Sequence, residues 1–392
     1  MQNVMDKQNK LMRINDFKLE RYFAQHEFTA KYLLSSSDCD GYKLNYLLEN
    51  ASNEELALWK KLKLGYTESE GNPILREAIL QHYKTASIEN VVVATPGELN
   101  FISMNVLLDS TDHAITISPC YQSLSEVVKS INCKLSYWKP NKNDWTFNTE
   151  DLENLIKKNT KLIILNFPHN PTGSYLTKNQ LNEIVTIAKK HDLYIFSDEM
   201  YHKLIIGNTE ELPPICDVYE KGISLWGTSK TFGLAGLRTG WLVSDDKTFL
   251  KKVVAFKDYL SICNSAPSEI LSIMALNNIN LFLEPNLKKI NKNISIFEEF
   301  IKQQDVITDF IPPKAGSTSF VQLNINDSSL EFSNQLVKDT GIMTVPAEMF
   351  EYEGKYIRVG FGRANLPEIL EVLESYLKQM PAHNRVDGSA PK

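Results

Sequence analysis

No stretch of this chain is apolar for anything near the roughly 18 residues that a membrane-crossing helix needs. Its first residues, MQNVMDKQNKLMRINDFKLERYF, lack the apolar core of a secretory leader. Cysteine is scarce: Cys39, Cys120, Cys133, Cys216 and Cys263 are odd in number, far apart and form no CxxC or Cys/His cluster. That argues against a disulfide framework and a zinc site, and points to a reducing, cytoplasmic setting. Excess basic charge is missing too. With 42 Lys and Arg against 48 Asp and Glu, the net charge of −6 disfavours nucleic acid as the main partner. No GxGxxG follows an apolar run, so a nicotinamide-binding fold is unsupported. Gly222 and Gly227 have the spacing of a phosphate-binding loop, yet Thr228 stands where that motif needs lysine, and Lys230 comes two residues late.

What is present has the size and composition of a globular enzyme. At 392 residues, 43% hydrophobic and 23% charged, the chain exceeds a single core, and two domains are expected. Short apolar runs at 90–97, 113–119, 161–167, 193–199 and 223–226 read as strands. Between the third and fourth, 176–192 reads as a helix, with a capping box of Thr177 and Gln180 and an apolar face of Leu181, Ile184, Val185 and Ala188. Wholly apolar strands separated by helices imply a mostly parallel sheet covered on both sides. Ligands of such sheets bind beyond the carboxyl ends of the strands. From about residue 275 the pattern changes: 290–304 reads as helix, 320–325 and 356–361 as strands, and 367–380 as an amphipathic helix. The expected division is a large domain at 46–275 and a smaller one at 276–380, which 1–45 joins. A polar, aperiodic tail at 381–392 is expected to be disordered.

The strand ends carry the chemistry. After the third comes Asn166-Phe-Pro-His-Asn-Pro-Thr-Gly173, where prolines and a turn hold the Asn170 amide rigid, although an ordinary turn has the same composition. After the fourth comes Asp198-Glu-Met-Tyr201. A carboxylate there is costly unless it meets a cation, although a helix N-cap is the plainer reading. After the fifth, Lys230 and Arg238 lie among glycines and hydroxyls in WGTSKTFGLAGLRTGW. An amine that forms Schiff bases, an anionic partner for a pyridinium and a phosphate-binding arginine are the parts that pyridoxal phosphate requires.

In this the chain resembles the class I/II aminotransferases of pyridoxal-phosphate-dependent fold type I, from about Gly65 to Arg358. Ser229-Lys-Thr-Phe-Gly-Leu-Ala-Gly-Leu-Arg238 is similar to the family's Ser-Lys-x-x-Gly-x-x-Gly-x-Arg signature, with Asn170-Pro-Thr-Gly173 and Asp198-x-x-Tyr201 in order before it. The resemblance implies an α/β fold, with a mostly parallel seven-stranded sheet in the large domain and a smaller α+β C-terminal domain. It implies pyridoxal 5'-phosphate as cofactor, amino acid and 2-oxo acid substrates, and a homodimer with shared sites. Lys230 would carry the cofactor and move the Cα proton, while Ser229 and Arg238 would hold its phosphate. Asp198 would keep the pyridine nitrogen protonated, and Asn170 and Tyr201 would bond the phenolic oxygen. Tyr121 would stack on the ring, and the turn Gly97-Glu98-Leu99 would cradle the phosphate with backbone N–H groups. Tyr66 would reach the neighbouring subunit's phosphate, and Arg358, with Asn170, would bind the substrate carboxylate.

Three departures stand out. Gly227 replaces a family hydroxyl of the phosphate cup, so one bond is missing or comes from Thr228. Glu98 stands where small or neutral residues are usual; it is expected to turn toward the substrate side chain and favour a cationic group. In the N-terminal segment, Glu20, His26 and Glu27 add titratable groups where this family closes over substrate, although a solvated amphipathic helix explains them as well. These departures resemble a side branch that includes capreomycidine synthase-like enzymes, which implies an alternative reaction: elimination and ring closure on a hydroxylated arginine.

Overall fold

In the computed structural model, residues 14–380 are described; the tail expected at 381–392 and the first thirteen residues of the N-terminal segment lie outside them. The strands are β1 (Tyr32–Leu33), β2 (Val91–Ala94), β3 (His113–Ile117), β4 (Lys134–Trp138), β5 (Thr160–Asn166), β6 (Tyr194–Asp198), β7 (Gly222–Gly227), β8 (Gly240–Ser244), β9 (Ile307–Asp309), β10 (Thr318–Leu323), β11 (Ile342–Met343), β12 (Val345–Pro346) and β13 (Tyr356–Gly360). Seven of them form one sheet in the order β2-β8-β7-β6-β5-β3-β4. All run parallel except β8, which is antiparallel to both neighbours.

Successive residues of the central strands feed opposite cores, which is why the strands read as continuous apolar runs. Leu162, Ile164 and Phe196 pack on one side with Leu99, Ile102 and Val253 of the helices Pro96–Leu107 and Lys247–Lys257. Ile163, Leu165 and Ile195 pack on the other with Leu181, Ile184 and Ala188 of the helix Lys178–Lys190. That helix opens with the expected capping box, Thr177 accepting from the Gln180 N–H at 3.3 Å. A second, antiparallel sheet orders β12-β13-β10-β9, and β1 pairs with β11 in parallel beside it. No helix among the described residues is long and apolar enough to cross a membrane.

Several elements differ from the sequence reading, β4 (Lys134–Trp138) among them, and two have a clear physical reason. The helix expected at 290–304 is Asn280–Ile301, and it runs straight through Pro285. Proline cannot donate to the carbonyl four residues back, but the Tyr46 hydroxyl takes over, donating to Leu281 O at 3.2 Å. The second is β8, whose run Gly-Trp-Leu-Val-Ser lies within and just beyond the lysine motif. Here Gly227 pairs with Gly240 across β7 and β8. A Cβ at Gly227 would sit 2.8 Å from Thr239 O and 3.0 Å from the Gly240 Cα, contacts that real Cβ atoms do not make. The glycine is therefore a packing requirement, and a hydroxyl side chain has no room there. Gly227→Ser is expected to destabilise the fold by about 1–3 kcal/mol through overpacking. A urea melt should show a lower midpoint with an unchanged slope.

Candidate active site

Because β5, β6 and β7 end side by side, with Asn166 opposite Asp198, their following residues converge. They deliver Asn170, Asp198, Tyr201, Ser229 and Lys230 to one cavity of about 550 Å³. The N-terminal segment supplies the facing wall through the helix Lys18–His26, Glu27 and residues 36–38.

Lys230 donates from Nζ to Ser37 Oγ at 2.8 Å. Burial lowers its pKa, Arg358 and Arg238 add to the lowering, and Asp38 and Glu20 oppose it. Asp198 is buried, accepting from the Met200 N–H at 3.2 Å. Desolvation pushes its pKa up to about 6, against the pull of that N–H and of Lys230. The Tyr201 hydroxyl donates to Ser37 O at 2.9 Å, and burial raises its pKa to about 12.

Arg358 is only 1% exposed. Its Nε and Nη2 donate to Ser35 O at 3.0 and 2.8 Å, and Nη1 donates to Asn170 Oδ1 at 3.0 Å. Phe23 and Phe350 lie 5.8 and 5.5 Å from the guanidinium. Three of the five guanidinium N–H groups are thus engaged, leaving two for an anion in the cavity. Tyr121 lines the same wall and donates to Glu20 Oε1 at 3.1 Å, with Phe17 5.0 Å from its ring. Burial, then Glu20, pushes its pKa up.

At the opposite end, the Ser229 hydroxyl is 5% exposed and has no hydrogen-bond partner. Arg238, exposed and in the left-handed region at φ 54°, donates to Ala235 O at 3.1 Å and has no ion pair among the described residues. The helix Pro96–Leu107 aims its first turn here, with Pro96 and Gly97 on the cavity wall. A helix leaves its first N–H groups unpaired, which makes Gly97 and Glu98 the available donors. Leu99 is not one: its N–H already donates to Thr95 O at 3.0 Å, and its side chain is core.

Several expectations need correction. Glu98 does not line the cavity; its carboxylate accepts from Ser261, at 3.3 Å from N and 2.7 Å from Oγ. Thr228 does not replace the missing hydroxyl, because it is buried and donates to Thr239 O at 3.1 Å, inside the β7–β8 turn. Tyr66, expected to serve the neighbouring subunit and not its own, needs no correction: it lies outside the cavity of its own chain and is 88% exposed. His26 is not on the cavity wall either; its ring packs 4.7 Å from Tyr22. Glu20 and Glu27, by contrast, both face the cavity. Sequence reasoning missed Ser35, Ser37 and Asp38. Their only signal was a run of three serines and an aspartate, which gives no hint of partners 164 to 325 residues away.

Residues 29–374 match the family model "Aminotransferase class I and II". The chain is 29% identical over 316 residues to an aspartate aminotransferase of Sulfurisphaera tokodaii, covering 76% of this chain and 78% of that one. It is 24% identical over 374 residues to the capreomycidine synthase of Streptomyces vinaceus, covering 94% of each. Among solved structures, a PLP-dependent aminotransferase from Streptococcus suis superposes with a TM-score of 0.88 at 29% identity, covering 95% of this chain and all (100%) of that one. The PLP-dependent cyclase OrfR superposes with a TM-score of 0.85 at 21% identity, covering 93% and 97%.

Proposed function

The chain belongs to the class I and II aminotransferase family, and from that membership we propose how its own residues divide the work of a pyridoxal-phosphate enzyme that acts on an amino acid through the Cα carbanion. One observation carries the reading: in a single cavity, a buried carboxylate, a lysine of lowered pKa and an unpartnered buried serine hydroxyl face one another. Pyridoxal 5'-phosphate fits this donor set. Ser229, Arg238 and the N–H groups of Gly97 and Glu98 would hold the phosphate, Asp198 would face the pyridine nitrogen, and Tyr121 would cover the ring. When bound, the cofactor supplies an electron sink for the charge that develops at Cα.

The protein does the rest. Arg358 presents its two free N–H groups to the substrate carboxylate in fork geometry, and Asn170 and Ser35 fix the guanidinium. Burial opposes the charge on Lys230, and Arg358 and Arg238 add to the lowering of its pKa, which favours an Nζ that takes the Cα proton and returns it. The helix Lys18–His26 covers the cavity and limits access of water. Transamination to a 2-oxo acid is the first reading. The full-length likeness to a capreomycidine synthase supports elimination and ring closure as the second. Mass spectrometry of products from amino acids and from hydroxyarginines decides. A keto acid, with the cofactor left as its amine, supports transamination, and a cyclised product without that change supports the second. A purified protein that takes up no pyridoxal phosphate and shows no visible absorbance sinks both.

The same reading includes a cytoplasmic homodimer, in which Tyr66 completes the neighbour's phosphate site. The exposure of Leu64, Tyr66 and Tyr259, at 86%, 88% and 90%, supports such a contact. It also includes the division into 46–275 and 276–380 with 1–45 joined to the latter, in keeping with the two separate sheets.

A further inference from the structure

We propose that Glu20 and Glu27 form the side-chain subsite of the cavity and select an amino acid whose side chain ends in a cation, an ammonium or a guanidinium. The proposal rests on the cofactor reading above and goes beyond it by naming the substrate class.

The argument is one of charge. Four carboxylates line the cavity, Glu20, Glu27, Asp38 and Asp198, with three cations, Lys230, Arg238 and Arg358. Under the cofactor reading, Asp198 would face the pyridine nitrogen, Arg238 the phosphate and Arg358 the substrate carboxylate, while Lys230 would be committed to the cofactor. Asp38 is already paired with Arg363 at 2.8 Å. Arg363, which also acts on Glu27 through charge, is shared with Asp40 at 3.9 Å. Glu20 and Glu27 are left without a counter-ion.

Their contacts agree. Among the described residues, Glu20 accepts only a neutral phenol, from Tyr121. The Glu27 carboxylate has no hydrogen bond or ion pair among the described residues, and burial, then Asp38 and Glu20, raise its pKa. Neighbouring carboxylates that repel one another at a half-buried wall leave a site that a cation relieves. That this cavity takes a ligand at all is marked independently by Ser229, a 5% exposed residue whose buried hydroxyl has no partner and which lines the same cavity at its other end. Phe23 and Phe28 flank the two glutamates; they offer apolar surface for a methylene stem and aromatic faces for a cation. The position suits the chemistry, since Phe23, 5.8 Å from the Arg358 guanidinium, is on the same helix as Glu20 and so sets the carboxylate site beside the acidic wall.

The test is equilibrium binding to the cofactor-loaded enzyme, read as the change in its visible absorbance, with L-arginine, L-lysine, L-ornithine, L-norleucine and L-glutamate. At least one cationic amino acid should bind about tenfold or more tightly than norleucine, with glutamate weakest; tenfold corresponds to about 1.4 kcal/mol. The three cations separate guanidinium from ammonium. Glu27→Gln orphans no protein partner and should lower affinity for the preferred cation about tenfold more than for norleucine; Glu20→Gln should act in the same direction. Equal or tighter binding of norleucine or glutamate overturns the proposal, as does an equal loss for both ligand types in both variants. A wild-type protein with no visible cofactor band removes the cofactor reading, and the subsite with it. A normal band without cation preference removes the subsite alone.

Discussion

Replacing Lys230 with alanine is expected to lower turnover by about 10⁴-fold or more, because one side chain is both the attachment point of the cofactor and the base at Cα. The effect should be chemical, not structural. Lys230 sits at the cavity wall with one hydrogen bond, to Ser37 Oγ, and its buried charge is opposed by Arg358 and Arg238. Removing it relieves that repulsion and leaves Ser37 O bonded to Tyr201 and Ser317, at 2.9 Å each. The variant should therefore fold, with a melting temperature close to that of the apoenzyme, while the absorbance band of the lysine-bound cofactor disappears. A small primary amine in solution should restore part of the activity, since it supplies the missing base. An unchanged spectrum in Lys230→Ala would assign the cofactor linkage elsewhere.

The second large effect has two signs. Asp198→Asn should cut turnover by about 10²–10³-fold, since a neutral amide cannot hold a proton on the pyridine nitrogen by charge. The same change should stabilise the apoprotein near pH 8. Without a cationic partner, burial raises the Asp198 pKa from the ordinary 3.8 to about 6. The folded state thus favours the protonated acid, and its stability falls as pH rises from about 4 to about 6. Two units correspond to about 2–3 kcal/mol once Asp198 is ionised in both states. The neighbouring Glu199, whose pKa burial raises to about 8, accepts from Ile215 N at 2.9 Å and Ser224 Oγ at 3.2 Å. Its burial is common to both proteins, whereas the Asp198 charge raises its pKa further in the parent alone, a repulsion whose loss adds to the variant's advantage at high pH. Thermal melts of the two apoproteins should coincide near pH 4 and separate above pH 6, with the variant melting higher. Once the cofactor is loaded, the order should reverse, because the carboxylate then faces a cation. A variant apoprotein that melts lower throughout would mean that Asp198 is held by partners other than those described.

Much of the site is legible in the chain because its parts follow consecutive parallel strands. The strand ends carry Asn170, Asp198 and Lys230 in sequence order, and a parallel sheet brings such ends together without further information. Glu98 shows where that reasoning stops. Position next to the phosphate turn suggested a role in the cavity, but a helix N-terminus points successive side chains in different directions, and this one meets Ser261. Gly227 shows the converse: a hydroxyl that looked lost had no room, since β8 passes too close.

The sequence by itself determined five of the sheet's seven strands, the lysine, its acidic and cationic companions and thereby the cofactor, because these depend on local periodicity and on motifs a few residues long. Only the tertiary structure decided what surrounds the substrate. Arg358 is fixed by Ser35, 323 positions away, and Lys230 by Ser37, 193 away. The acidic wall comes from a helix at the far N-terminal side of the chain, folded back over the strand ends. Contacts of that span follow from how the N-terminal segment pairs with a distant part of the chain, β1 with β11, and no spacing along the chain encodes that pairing.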